Sequence, residues 1–96
     1  MLVLVCYDVS TVTPEGERRL RRVAAICKDH GVRVQYSVFE CRLEPARWVA
    51  MRHALLEAMD VEGDSLRFYF INEKDFQRTE HHGVRRPLDP MGPLVV

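Results

Sequence analysis

No run of 18 apolar residues occurs in the 96-residue chain, so no membrane-spanning helix is expected. The segment from Leu2 is apolar but has neither a basic leader nor a small-residue cleavage site, and it reads as a buried strand rather than a secretory signal. Cysteine is scarce. Cys6, Cys27 and Cys41 form no CxxC pair and are odd in number, which argues against a disulfide framework or a zinc site. Three small buried hydrophobes in a reducing cytoplasm is the expected reading. An excess charge of either sign is also missing, because Lys plus Arg and Asp plus Glu each number 14. Lysine itself is rare, with twelve Arg against two Lys. The planar Arg fork matches phosphate oxygens, so a local phosphate-binding face is compatible with overall neutrality. No glycine-rich phosphate loop and no Ser/His/Asp arrangement is visible.

What is present is enough for one modest core: 47% of the residues are hydrophobic, and the length suits a single domain. A chain this short without disulfides is often stabilised by oligomerisation. Leu2 to Tyr7 is a near-continuous apolar run, suited to a central strand. Thr13 and Pro14 then form a helix start, Thr13 as N-cap and Pro14 at the first helical position, with Glu15 and Glu17 complementing the dipole. Leu20, Val23, Ala24 and Cys27 make a core stripe, and Gly31 is expected to end the helix as a left-handed cap. Val32 to Leu43 alternates in strand fashion but is long for one strand, and pattern alone leaves open one bent strand or two joined near Tyr36-Ser37. Pro45 opens a second helix with Trp48, Met51, Leu55 and Met59 on one stripe. Ser65 to Ile71 follows as a strand, with Leu66, Phe68 and Phe70 on one face and Arg67, Tyr69 and Ile71 on the other. This order is the α+β split βαβ, or ferredoxin-like, plan: an antiparallel sheet covered by two helices on one face. Beyond Asn72 comes a polar, Pro-punctuated tail containing His81-His82 and ending Leu94-Val95-Val96. Adjacent His point apart in an extended chain, so His81-His82 is read as tail rather than metal site.

The residue that carries chemistry is Asp8, which ends the first strand at the rim of a sheet. It either caps the following turn through the Ser10 or Thr11 amides or binds a hard cation such as Mg2+, which takes oxygen ligands and needs only one or two protein carboxylates.

Tyr7-Asp8 after an apolar strand, the segment Gly31-Val32-Arg33-Val34-Gln35-Tyr36-Ser37-Val38-Phe39-Glu40, and Asp64-Ser65-Leu66-Arg67-Phe68-Tyr69 together resemble the CRISPR-associated protein 2 family, the small partner of the CRISPR integrase. The resemblance runs from residue 1 to about 75, and Gln35 to Phe39 is its most specific part. It implies a ferredoxin-like two-fold homodimer, with residues 1–78 as the domain and 79–96 as a linker that delivers Leu94-Val95-Val96 as an additional strand on the dimer. It also implies that Val32 to Leu43 is two strands with a tight break. It further implies a role in spacer acquisition with the integrase, on DNA and in some members RNA, and in some members metal-dependent nuclease activity.

On that reading Asp8 is the catalytic and metal-binding residue, two copies sharing one Mg2+ or Mn2+ per dimer. Arg18, Arg19 and Arg22 on the first helix, together with Arg33, are the candidate phosphate contacts, each steepening the salt dependence of binding by about 0.9. Tyr7, Ser37 and Phe39 are supporting residues: Tyr7 in sheet or dimer packing, Ser37 either hydrogen-bonding near the metal or phosphate or allowing the strand break, and Phe39 in the dimer interface or against a base. The competing function is a non-catalytic DNA-binding adaptor of the integrase complex.

Overall fold

Continuous apolar sequence, rather than alternation, gives the first strand its central place. Residues 1–84 are described in a computed structural model. Leu2–Asp8 forms β1, which pairs antiparallel with two neighbours, β3 (Val38–Arg42) and β4 (Ser65–Ile71). The fourth strand, β2 (Val32–Gln35), pairs antiparallel with β3, so the sheet order is β2-β3-β1-β4. Helices α1 (Pro14–His30) and α2 (Pro45–Ala58) cover one face, and a short helical turn, α3 (Glu73–Phe76), follows β4. This is the expected βαββαβ arrangement. The stretch from Val32 resolves into two strands broken at Tyr36-Ser37, with a register shift between Arg33 and Gln35. The fifth strand expected at Leu94-Val95-Val96 lies outside the described residues.

The core lies between the sheet and the two helices. Val3, Val5, Phe39 and Cys41 from the strands meet Val23 and Cys27 of α1 and Met51 and Leu55 of α2, all without solvent exposure. Burying each of the larger side chains contributes about 1.5–3 kcal/mol. Trp48 joins from α2 and meets the edges of Phe68 and Phe70, at centroid distances of 4.9 and 5.4 Å. Burial pushes the Cys27 thiol up to about 12 and the Cys41 thiol to about 11, so both remain neutral packing groups. Cys6 differs from the expectation. It is half-buried and points to the sheet face that lacks helices, because its position in β1 is of opposite parity to Val3 and Val5.

Both helix starts use the expected chemistry. Pro14 opens α1 and the Thr13 hydroxyl accepts a 3.1 Å bond from the Gly16 amide. Pro45 opens α2, with Glu44 at the cap position making no side-chain bond. The end of α1 corrects the sequence-based expectation. Gly31 is extended, with φ −158° and ψ −170°, not left-handed. Its lack of a side chain answers a steric demand instead, since a Cβ there would lie 2.4 Å from Cys41 Sγ and 2.6 Å from the Glu40 carbonyl oxygen. Gly16 meets the same demand at the other end of α1, where a Cβ would lie 2.0 Å from the Ser10 carbonyl oxygen. The first turn of α1 is thereby seated directly on the β1–α1 loop.

Gly16→Ala tests this close approach. Helix propensity alone favours Ala by up to about 1 kcal/mol, whereas forcing a methyl group into a filled site costs about 1–3 kcal/mol. The net effect expected in urea denaturation is destabilisation, and a more stable Ala variant would contradict the packing.

Candidate metal and nucleic-acid site

Side chains alternate along a strand, so Tyr7 and Asp8 cannot share a surface. Tyr7 points to the helix face with Val3 and Val5 and is 5% exposed. Asp8 points to the open face at the end of β1, exposed and directly opposite Ser65 of β4. Its carboxylate makes no hydrogen bond or ion pair among the described residues, which leaves both oxygens available to a ligand.

The turn-capping role considered for Asp8 belongs to another carboxylate. The Ser10 amide donates a 3.0 Å bond to Asp64 Oδ1, from a residue 54 positions downstream. Asp64 Oδ2 accepts from Arg19 Nε at 2.8 Å and from the Asp60 amide at 2.9 Å, and Oδ1 accepts a longer bond from Arg19 Nη2 at 3.4 Å. The Asp64 side chain is sealed from solvent. The Arg19 guanidinium, followed by the Asp60 and Ser10 amides, holds its carboxyl below the usual carboxylate range, against the opposing effect of burial. Asp64 thus ties α1, the β1–α1 loop and the start of β4 into one unit and fixes the backbone that carries Asp8.

Around Asp8, the side chains of Cys6, Ser65, Arg67 and Tyr69 line an open depression of about 410 Å³. The register places them in rows across the sheet: Val38–Cys6–Arg67, then Asp8–Ser65. Arg67 Nη1 donates to the Tyr69 hydroxyl at 3.0 Å. These neighbours escaped the sequence reading as site residues, although the alternation in β4 already put Arg67 and Tyr69 on one face. No group of three or more His, Cys, Asp and Glu side chains converges anywhere among the described residues. Among the described residues lining this depression Asp8 is the only carboxylate, and a hard cation held there would take its remaining ligands from waters, phosphate oxygens or a further carboxylate.

The other predicted residues are distributed between surfaces. Arg18 and Arg22 lie four residues apart on the exposed side of α1, Arg18 in a 3.4 Å pair with Glu15. Arg19 is turned away from them onto Asp64. Arg33 lies on the helix face of β2, opposite Phe39 in register, with its guanidinium carbon 4.9 Å from the Phe39 ring centroid and 5.4 Å from that of Tyr36. Its Nη2 donates to the Tyr7 hydroxyl at 3.4 Å. Burial pushes the Tyr7 phenol above its ordinary value, with the Arg33 bond pulling the other way, so it is neutral near pH 7. Phe39 is completely buried and stacks on Tyr7 at 6.2 Å. It belongs to the core of one chain, where neither a base nor a partner subunit can reach it, because its parity in β3 directs it under the helices. Ser37 sits in the β2–β3 turn, and its carbonyl accepts from the Tyr7 amide at 3.1 Å. His81 and His82 are exposed and make only local contacts, to the Gly83 carbonyl and Glu80.

With this geometry in place, comparison with known proteins is specific. Residues 1–79 match the family described as CRISPR associated protein Cas2. The chain is 54% identical over 96 residues to the CRISPR-associated endoribonuclease Cas2 of Chlorobaculum tepidum, covering all of both chains. It is 40% identical to the CRISPR-associated endonuclease Cas2 of Halalkalibacterium halodurans, over 99% of each. Among solved structures, Streptococcus pyogenes Cas2 at pH 6.5 superposes with a TM-score of 0.77 at 49% identity, covering 86% of this chain and 100% of that one.

The Asp64 cluster makes a pH prediction. Its carboxyl is harder to protonate folded than unfolded, so its contribution is complete above the unfolded value near about 4 and disappears as pH falls through the lower folded value. Asp64→Asn is expected to lower Tm by several degrees at pH 7 and to flatten the loss of stability below about pH 4. Denaturation curves from pH 7 to pH 3 check this, and an unchanged acid limb would contradict it.

Proposed function

Since the chain belongs to the CRISPR-associated protein Cas2 family, we propose that it acts in the cytoplasm as a homodimer that binds nucleic acid with the CRISPR integrase during spacer acquisition. We further propose that the dimer hydrolyses phosphodiesters at a site built from two Asp8 carboxylates. The observation that carries this reading is the isolation of Asp8. It is an unpaired, exposed carboxylate on the open face of the sheet, and no other carboxylate among the described residues lines its depression.

The open face itself favours pairing of two copies. Leu4, Cys6, Val38, Tyr69 and Ile71 project from it, and Tyr69 is 44% exposed. Two such faces packed about a two-fold axis would bury this surface and bring the Asp8 rims together. The donor set, carboxylate oxygen with room for waters, fits Mg2+ or Mn2+ rather than a thiolate-seeking metal. A bound divalent cation would supply a water of lowered pKa and neutralise charge on the phosphate. Asp8 of each chain would hold that cation. Ser65 and Arg67 line the same depression, where Arg67 can take a phosphate oxygen and Ser65 can hydrogen-bond to it. Arg18 and Arg22 on α1 would track the nucleic-acid backbone. Relatives bear the names endoribonuclease and endonuclease, and either RNA or DNA presents the same diester to this chemistry.

A second reading rests on a separate observation. Arg18 and Arg22 lie on a different surface from Asp8, so duplex binding as a non-catalytic adaptor requires nothing of the carboxylate. Asp8→Ala separates the two. It is expected to abolish Mg2+-stimulated cleavage while the dimer persists in sedimentation. Mixing variant and wild-type chains under exchange should make activity fall with the square of the wild-type fraction. A linear fall would mean that each chain cuts alone, and undiminished cleavage by the variant would leave the adaptor role. Replacing Arg18 and Arg22 with Ala should reduce the log–log salt slope of duplex binding by up to about 1.8, or about 0.9 for each phosphate no longer neutralised.

A further inference from the structure

A second concave site lies on the other face of the sheet from Asp8. Tyr7, Leu20, Arg21, Ala24, Ala25, Lys28, Arg33 and Tyr36 enclose a cleft of about 270 Å³ between α1 and the edge strand β2. Helical spacing explains its form. Arg21, Ala24, Ala25 and Lys28 recur at i, i+3, i+4 and i+7, so two small residues make a groove between two cations. Arg33 closes the cleft from β2. No carboxylate lines it, and none of its three cations is in an ion pair among the described residues.

Arg33 is the unusual member. Its Nε and Nη1 are buried with no hydrogen-bond partner among the described residues, and Nη2 has only the long 3.4 Å bond to Tyr7. The Tyr36 and Phe39 rings attract the guanidinium charge through their π faces, with centroids 5.4 and 4.9 Å from its central carbon. Those rings do not supply acceptors to the N–H groups. Arginine cannot shed its proton, and a buried donor without an acceptor is costly. The missing component is an anion with several acceptor oxygens.

We propose that this cleft binds a phosphomonoester on a single nucleotide, either a free nucleoside monophosphate or the phosphorylated 5′ end of a strand. Three cations suit the charge of a monoester, about −1.5 to −2 at pH 7, better than the single charge of a backbone diester. At about 270 Å³ the cleft falls just below the usual range of small-ligand pockets, about 300–1,000 Å³, so it takes no more than one nucleotide and excludes a duplex. Tyr36, in the hairpin turn, covers one side of the guanidinium, and its displacement admits a phosphate oxygen to the sealed nitrogens. Tyr36 and the Leu20/Ala24 wall then face the sugar and base. This site does not depend on Asp8 or on cleavage.

The test uses the full chain with a nucleoside 5′-monophosphate and with short single strands of one sequence, ending in either a 5′-phosphate or a 5′-hydroxyl, titrated by calorimetry and fluorescence anisotropy. The phosphorylated strand should bind at least tenfold more tightly than the hydroxyl strand if the strand end is the ligand. Saturable binding of the monophosphate without that preference identifies the free nucleotide. Ala25→Leu places bulk in the cleft without changing charge. It should weaken phosphomonoester binding at least tenfold, while duplex binding and any Asp8-dependent cleavage stay at wild-type level. Arg33→Lys, which retains charge but not the fork, should weaken it similarly in a folded protein. Absence of monophosphate binding together with equal affinity for the two strands overturns the proposal, as does wild-type phosphomonoester binding by Ala25→Leu.

Discussion

The site depends on one buried carboxylate. Asp64 begins the approach to β4, yet its oxygens are taken up by Arg19 of α1, the Ser10 amide after β1 and the Asp60 amide of its own loop. Sealing an ionised group from water is tolerable only when its acceptor positions are occupied, and these three donors do so. The consequence is positional. The loop after β1 cannot move without breaking the cluster, and Gly16 lets the first turn of α1 press against the same loop. Asp8 is therefore presented from a fixed strand end and is released from any capping duty of its own.

Strand parity then divides the molecule into two chemical surfaces. Tyr7 and Asp8 are neighbours in the chain but face opposite sides of the sheet. On the open side stand Asp8, Glu40, Arg42, Arg67 and an apolar strip. Beneath the helices, Tyr7, Phe39 and Arg33 form a stacked group whose charge has no counter-ion among the described residues. The Gln35–Phe39 segment is divided in the same way: Phe39 lies under the helices, and Val38 lies on the open face opposite Cys6. Phe39 is a core residue and Arg33 lies against its ring, so substitutions there would affect stability as well as binding.

Much of the fold was legible because it rests on local signals. Thr13-Pro14 and Pro45 mark helix starts by their own chemistry, and the Leu20/Val23/Cys27 stripe and the alternation in Ser65–Ile71 are period patterns that hold in any tertiary context. The break at Tyr36-Ser37 was not legible from pattern, because the turn uses neither Gly, Pro nor Asn. Gly31 departs from its local signal for a related reason. Glycine after a helix usually signals a left-handed cap, but here it makes room for Cys41, ten residues further on, which no local rule contains. Arg19 stands in sequence among arginines suited to phosphate, but its partner Asp64 lies 45 residues away.

The sequence by itself determined the order of the elements, the apolar faces of helices and strands, and the placing of a carboxylate at the end of β1, because each follows from residue type and short-range periodicity. Only the tertiary structure decided which carboxylate caps the turn, which arginine is tied down and which lacks an acceptor, and that no other carboxylate among the described residues lines the Asp8 depression. Those outcomes depend on distances between residues far apart in sequence, and such distances exist only once β1 pairs between β3 and β4 and α1 packs across them.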